Sequence, residues 1–171
     1  MATRPSWPLL LWNASPSVPI GLYRRTARPA HVGALALVRL REPVRSLAAA
    51  RGYLPAGVLL IKPVAAAAGD LVCRHGPLVA INARTVARAA HFDREGRPLP
   101  RWSGCRRLGT AQVFLLSPEP DSFDGRYFGP LERQTLAGTA FPVWAPRQTT
   151  GPGGVAPGEQ RKPATPFGRR H

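Results

Sequence analysis

The sequence predicts a mostly-β domain with one short helix and a disordered C-terminal tail. Three observations predict it. Short apolar or alternating runs, separated by Gly, Pro and Asp turn signals, recur from Leu22 to Trp144. One segment alone has helix grammar: Pro43 to Arg51 opens on Pro, is rich in Ala and is followed by Gly52. From Ala145 onward the chain is Pro, Gly, Thr, Gln and Arg without periodicity, which predicts disorder over residues 145–171. A chain of 171 residues is long enough for one domain with a buried core.

Met1 to Pro8 is expected to be irregular. In the next stretch Pro16 and Pro19 bracket Ser17 and Gly21 follows, so regular helix is excluded and a stiff turn leads into a short strand at Leu22-Tyr23. Strands are predicted at Gly33 to Leu40 and, after the helix and the turn Tyr53 to Gly57, at Val58 to Lys62. An Ala-rich connection then reaches the Gly69-Asp70 turn. Leu71 to Arg74, Leu78 to Ile81 and Thr85 to Ala89 are further strands, and His91 to Pro100 is a loop or hairpin tip. Thr110 to Leu116 is a strand, Ser117 to Pro130 a loop dense in turn formers, and Leu136 to Trp144 the last strand.

Composition narrows the function classes. The formal charge of +15 suits a polyanion or an anionic membrane face. Its Arg are scattered, however, with no basic run and no aromatic-interleaved basic helix, so no nucleic-acid partner is expected. No apolar run approaches the roughly 20 residues that cross a bilayer, and Pro8 to Trp12 is too short for the core of a signal peptide. Cys73 and Cys105 can form one disulfide. With His31, His75, His91 and His171 dispersed and no zinc-like spacing, neither a metal nor a cofactor is expected.

Of the 24 Lys and Arg residues, Lys62 and Lys162 alone are lysines, and Lys162 falls in the tail. A Lys inside the apolar run Leu59 to Val64 asks for a reason, because Lys, unlike Arg, loses its proton when buried. Read alone, the stretch still favours a strand-end Lys that snorkels to water, and Ser17 between two prolines favours an ordinary surface turn. No GxSxG or Ser–His–Asp pattern announces a hydrolase. A Ser–Lys dyad is the economical alternative, in which a neutral amine takes the Ser proton and later protonates the leaving amine. An unperturbed lysine is neutral in only about one molecule in 2,500 at pH 7, so such a dyad needs apolar burial, as Leu59, Leu60, Ile61 and Val64 would provide.

Three separated motifs change this balance. They are Asn13-x-Ser15-x-Ser17-x-Pro19-x-Gly21-Leu22-Tyr23, then Lys62 with Gly69-Asp70 downstream, then Asp121-Ser-Phe-Asp-Gly-Arg-Tyr-Phe-Gly-Pro130. In order and separation they resemble the signal peptidase I superfamily, specifically its TraF-type conjugative-transfer peptidases, over residues 12–144. The resemblance implies a signal-peptidase-like antiparallel β catalytic domain. It implies that Ser17 is the nucleophile and Lys62 the general base. The Ser17 N–H and the Ser15 hydroxyl would form the oxyanion hole. Ser122 would orient the lysine amine, and the ion pair of Asp124 with Arg126 would support the site.

Two positions depart from the family pattern: Pro63 stands where Arg is frequent, and Ala68 where Pro usually precedes Gly-Asp. Both leave Lys62 in place and predict altered loop geometry. Relatives carry a membrane anchor before the serine motif, whereas residues 1–11 are only a short segment. The expectation is a start internal to a longer reading frame or another route to the membrane. The resemblance further implies a catalytic domain at the cytoplasmic membrane facing the periplasm. There a Cys73–Cys105 bridge is allowed and, in the chain-entropy model, would stabilise by about 3–4 kcal/mol.

The expected activity is Ser–Lys endopeptidase processing of an exported, pilin-like precursor, with cyclisation in some relatives. The substrate is expected to lie extended along a sheet edge, its small side chains in shallow pockets. A general leader peptidase and a non-catalytic basic component of a transfer apparatus are the alternatives.

Overall fold

A computed structural model describes residues 9–145. The expectations for Met1 to Pro8 and for nearly all of the tail therefore lie outside the described residues. Seven strands form the larger antiparallel sheet: β1 (Leu10–Asn13), β2 (Gly21–Thr26), β3 (Leu35–Val38), β4 (Leu60–Ala66), β9 (Gln112–Leu115), β10 (Leu131–Glu132) and β11 (Leu136–Trp144). Their order is β1-β2-β11-β3-β4-β9-β10. Between β4 and β9 the chain builds a second sheet, ordered β7-β6-β5-β8, from β5 (Leu71–His75), β6 (Leu78–Ile81), β7 (Arg84–Arg88) and β8 (Gly104–Arg107). The mostly-β antiparallel class is thus the observed one. Among the described residues no helix is long and apolar enough to cross a membrane.

The larger sheet is apolar on both faces around β3 and β4. Val38, Leu60, Val64, Val113 and Leu115 pack with Ala48 of helix α1 (Val44–Ala50). Leu37 and Ile61, of opposite parity, pack with Val18 and Tyr23. This alternation places Lys62 on the side of Leu60 and Val64. In the small sheet Val72 and Val79 meet Phe114 of β9, so the two sheets share a core.

Several local expectations are corrected. Strand β4 continues past Lys62 through Pro63 to Ala66, where a connection was expected, because Val64 and Ala66 are buried opposite Leu115 and Phe114 of β9. Pro63 lies opposite Leu35 of β3, and on the other side its carbonyl accepts from Leu116 N–H, a bond that a proline, having no N–H, does not return. Strands β1, β8 and β10 were not anticipated. A second helix, the single turn α2 (Gly125–Phe128), interrupts the expected loop because the Asp124 carboxylate caps it through Arg126 N–H. Gly125 is required there: a Cβ would stand 2.5 Å from the Leu115 carbonyl and 2.7 Å from the Phe114 ring.

The Gly69-Asp70 turn has a structural account. Asp70 accepts from Ala67 N–H at 2.9 Å and from Asn82 Nδ2 at 2.8 Å, tying the β4–β5 turn to the β6–β7 hairpin. Those bonds, the Ala67 amide first, hold the Asp70 carboxyl below the usual range. Cys73 and Cys105 face each other across β5 and β8 and are bonded to one another.

Candidate active site

Ser17 lies in the loop between β1 and β2, and Asn13 at the end of β1 shapes that loop. Asn13 Nδ2 donates to the carbonyls of Ser15, Val18 and Pro19 at 2.7, 3.1 and 3.1 Å, and Asn13 Oδ1 accepts from Ser15 N–H. Tyr23 of β2 adds a 2.6 Å bond from its hydroxyl to the Pro19 carbonyl. With prolines at 16 and 19 limiting the backbone, the loop is held from both ends. Ser17 is only 5% exposed, so the surface turn suggested by the segment alone is not what forms. Its hydroxyl is 3.1 Å from Ser15 Oγ, and its N–H makes a long 3.4 Å bond to the same oxygen. A bond that long is weak, so both groups can be surrendered to a ligand.

Lys62 is 3% exposed, which excludes the snorkelling suggested by its stretch alone. Its Nζ donates to Ser122 Oγ at 2.6 Å, the partner that the resemblance implied. Burial pulls the Lys62 amine down from 10.5 to about 8, against the Asp124 carboxylate, which raises it, and with the Arg126 guanidinium, which lowers it further. At pH 7 about one molecule in ten then carries a neutral amine.

Asp124 and Arg126 are fully buried and paired, Arg126 Nε lying 2.9 Å from Asp124 Oδ1. The remaining polar atoms are also satisfied. Asp124 Oδ2 accepts from Ser117 N–H at 2.9 Å, and Arg126 donates to the carbonyls of Ser117, Glu119 and Pro120. The pair therefore clamps the backbone of the loop from Ser117 to Ser122, on which the Lys62 partner sits. Arg74 of β5 and Trp102 donate to the carbonyls of Arg126 and Gly125, anchoring α2 to the small sheet and the loop before β8.

The structure thus joins Lys62 to Ser122, Asp124 to Arg126, and Ser15 to Ser17. Ser17 and Lys62 are not hydrogen-bonded to each other. They are linked through the 117–126 loop, which holds Lys62 by Ser122 and the Ser17 carbonyl by the Ser117 hydroxyl, at 2.7 Å. Ser117 was missed by sequence reading; its only signal is a Ser before Pro118 at the loop start. A cavity of about 280 Å³ opens beside Ser17, walled by Val18, Leu35, Pro63, Pro118 and Glu119. Among the described residues the tightest cluster of metal-type donors is Cys73, His75 and Cys105, but the disulfide engages two of the three.

The site is thus a buried lysine oriented by a serine on a clamped loop within an antiparallel sheet domain. The chain belongs to the signal peptidase family, peptidase S26, whose profile matches residues 6–145. It is 38% identical to the plasmid transfer protein TraF of Escherichia coli, over 77% of this chain and 80% of that protein. A probable conjugal transfer protein TraF of Sinorhizobium fredii is also 38% identical, over 77% of this chain and 74% of that protein. The conjugal transfer protein TraF of Agrobacterium fabrum is 34% identical over 77% and 80%. A signal peptidase I structure from Enterococcus faecalis matches 67% of this chain and 98% of its own, at 13% identity and a TM-score of 0.38. The family makes this chain a serine peptidase with a polypeptide substrate.

Proposed function

We propose that the chain is a Ser–Lys endopeptidase that matures an exported pilin-like precursor in conjugative transfer. The observation that carries this reading is the buried Lys62, its amine pulled down to about 8 and hydrogen-bonded to Ser122. In the substrate complex Lys62 Nζ comes within reach of Ser17 Oγ, contacts that are often incomplete without substrate. Ser17 Oγ attacks the scissile carbonyl as its proton passes to Lys62 Nζ. The Ser17 N–H and the Ser15 hydroxyl turn from each other to the developing oxyanion. The C–N bond breaks as Lys62 returns the proton to the leaving amine. The acyl-enzyme is then resolved by water, or by an amine of the substrate itself, which closes a ring.

The proline-walled cavity supports binding of an extended substrate segment with compact apolar side chains. The names of the relatives support a place in conjugative transfer. An apolar surface supports work at a membrane, and the Cys73–Cys105 disulfide suits the periplasmic side of the cytoplasmic membrane. Leu9, Leu10, Trp12, Phe141, Val143 and Trp144 are all more than half exposed, and Trp12 stacks on Trp144 at 6.1 Å. Amphipathic aromatics favour the bilayer interface, and these lie on β1, which leads into the Ser17 loop, and on β11.

The test is incubation of the chain with a pilin precursor and measurement of product mass. Cleavage at one bond is expected, and a product lighter by one water than the linear fragment reports cyclisation. A folded chain that leaves the precursor whole refutes the substrate assignment. For the membrane, the chain is expected to sediment with vesicles containing anionic lipid and Trp12→Ser/Trp144→Ser to sediment less. Equal sedimentation would show that the patch does not contact the membrane.

A further inference from the structure

The resemblance places roles on Ser122, Asp124 and Arg126 but none on Ser117, which is 2% exposed and makes the one side-chain bond from this loop to the nucleophile segment. Its three polar groups engage four different residues. The hydroxyl donates to the Ser17 carbonyl at 2.7 Å while accepting from Glu119 N–H at 3.1 Å. The amide donates to Asp124 Oδ2 and the carbonyl accepts from Arg126 Nη2. A serine hydroxyl has one hydrogen to give, and here the Glu119 amide occupies a lone pair, so the hydrogen is directed to Ser17. The acceptor is the backbone of the candidate nucleophile, part of the same residue whose N–H must aim at an oxyanion.

We propose that Ser117 is a positioning residue that sets Ser17 against Lys62. The inference rests on Ser17 being the nucleophile. The buried ion pair fixes the Ser117 backbone, and Ser117 in turn fixes the carbonyl of Ser17. The same loop fixes the amine of Lys62 through Ser122. One clamped segment therefore holds both members of the dyad, and the Asp124–Arg126 pair acts on both through it. Without the hydroxyl, the Ser17 carbonyl loses its donor and the Ser17–Val18 peptide, one of the two that fix the Ser17 Cα, is free to turn.

The experiment compares wild type, Ser117→Ala and Ser117→Thr on the precursor, with kcat and KM resolved at several pH values. Ser117→Ala is expected to lower kcat by about 10–100-fold with KM nearly unchanged, as for other losses of reactive geometry. Ser117→Thr, which keeps the hydroxyl, is expected to recover most of that loss. The pH inflection assigned to Lys62 stays in place, since Ser122 and the ion pair are untouched. A wild-type kcat in Ser117→Ala refutes the inference while leaving the dyad intact. So does a loss that Thr does not recover, or one that moves the inflection, because either reports a loosened loop. Should Ser17→Ala retain cleavage, the dyad reading itself falls, and this inference falls with it.

Discussion

Cleavage by the wild-type enzyme is expected to rise with pH and level off above about pH 8, running about 100-fold slower at pH 6 than at pH 9. The cause is the Lys62 amine: with its pKa at about 8, the neutral base is scarce at low pH and dominant above the inflection. The same burial has a cost to folding, and its sign follows from linkage. The unfolded chain holds the Lys62 proton up to about 10.5, whereas the folded chain releases it at about 8. Between those values the unfolded state binds more protons, so stability rises with pH across that window, and the full penalty applies below it. A pKa displaced from 10.5 to about 8 corresponds to about 3 kcal/mol.

Lys62→Met is therefore expected to abolish cleavage yet raise stability at pH 7 by about 2–3 kcal/mol, after the lost Ser122 bond is allowed for. Chemical denaturation and the cleavage assay together check this. A destabilised Lys62→Met protein would mean that the lysine is a structural group.

Asp124→Ala is expected to do the reverse, lowering stability by about 3–5 kcal/mol, because it strands a buried guanidinium without its charge partner. Arg126 is 2% exposed and cannot turn to water, and the cap on α2 is lost with the carboxylate. In whatever fraction remains folded, the Lys62 inflection moves to lower pH, since Asp124 holds the amine up and Arg126 pushes it down. Urea midpoints and pH–rate profiles read the two effects separately. A variant as stable as wild type would show that the loop does not depend on the pair.

The site was legible in the sequence through its motifs rather than through local chemistry. A single Lys in an apolar run raised the question of burial, but the stretch alone favoured a snorkelling Lys, Ser17 alone favoured a surface turn, and the pairing of Asp124 with Arg126 came with the resemblance. The separations between Ser17, Lys62 and Asp124 added the resemblance, without which neither Ser17 nor Lys62 would have been chosen. Illegible features depend on distant partners. Pro63 and the following Ala residues read as a connection because nothing local shows that Val64 and Ala66 lie opposite Leu115 and Phe114. Strand β8, Gly-Cys-Arg-Arg, has no alternating apolar face and owes its place to pairing with β5. The insertion of β11 between β2 and β3 is set by long-range pairing, and so is the reach of Ser117 across a hundred residues to Ser17.

Joint action of Ser17 and Lys62 is read out by co-expression of a pilin precursor with wild type, Ser17→Ala or Lys62→Met, followed by measurement of product mass. Wild type is expected to process the precursor, and each variant to lose about 10³-fold or more while staying folded. Processing by Lys62→Met at the wild-type rate would contradict joint action.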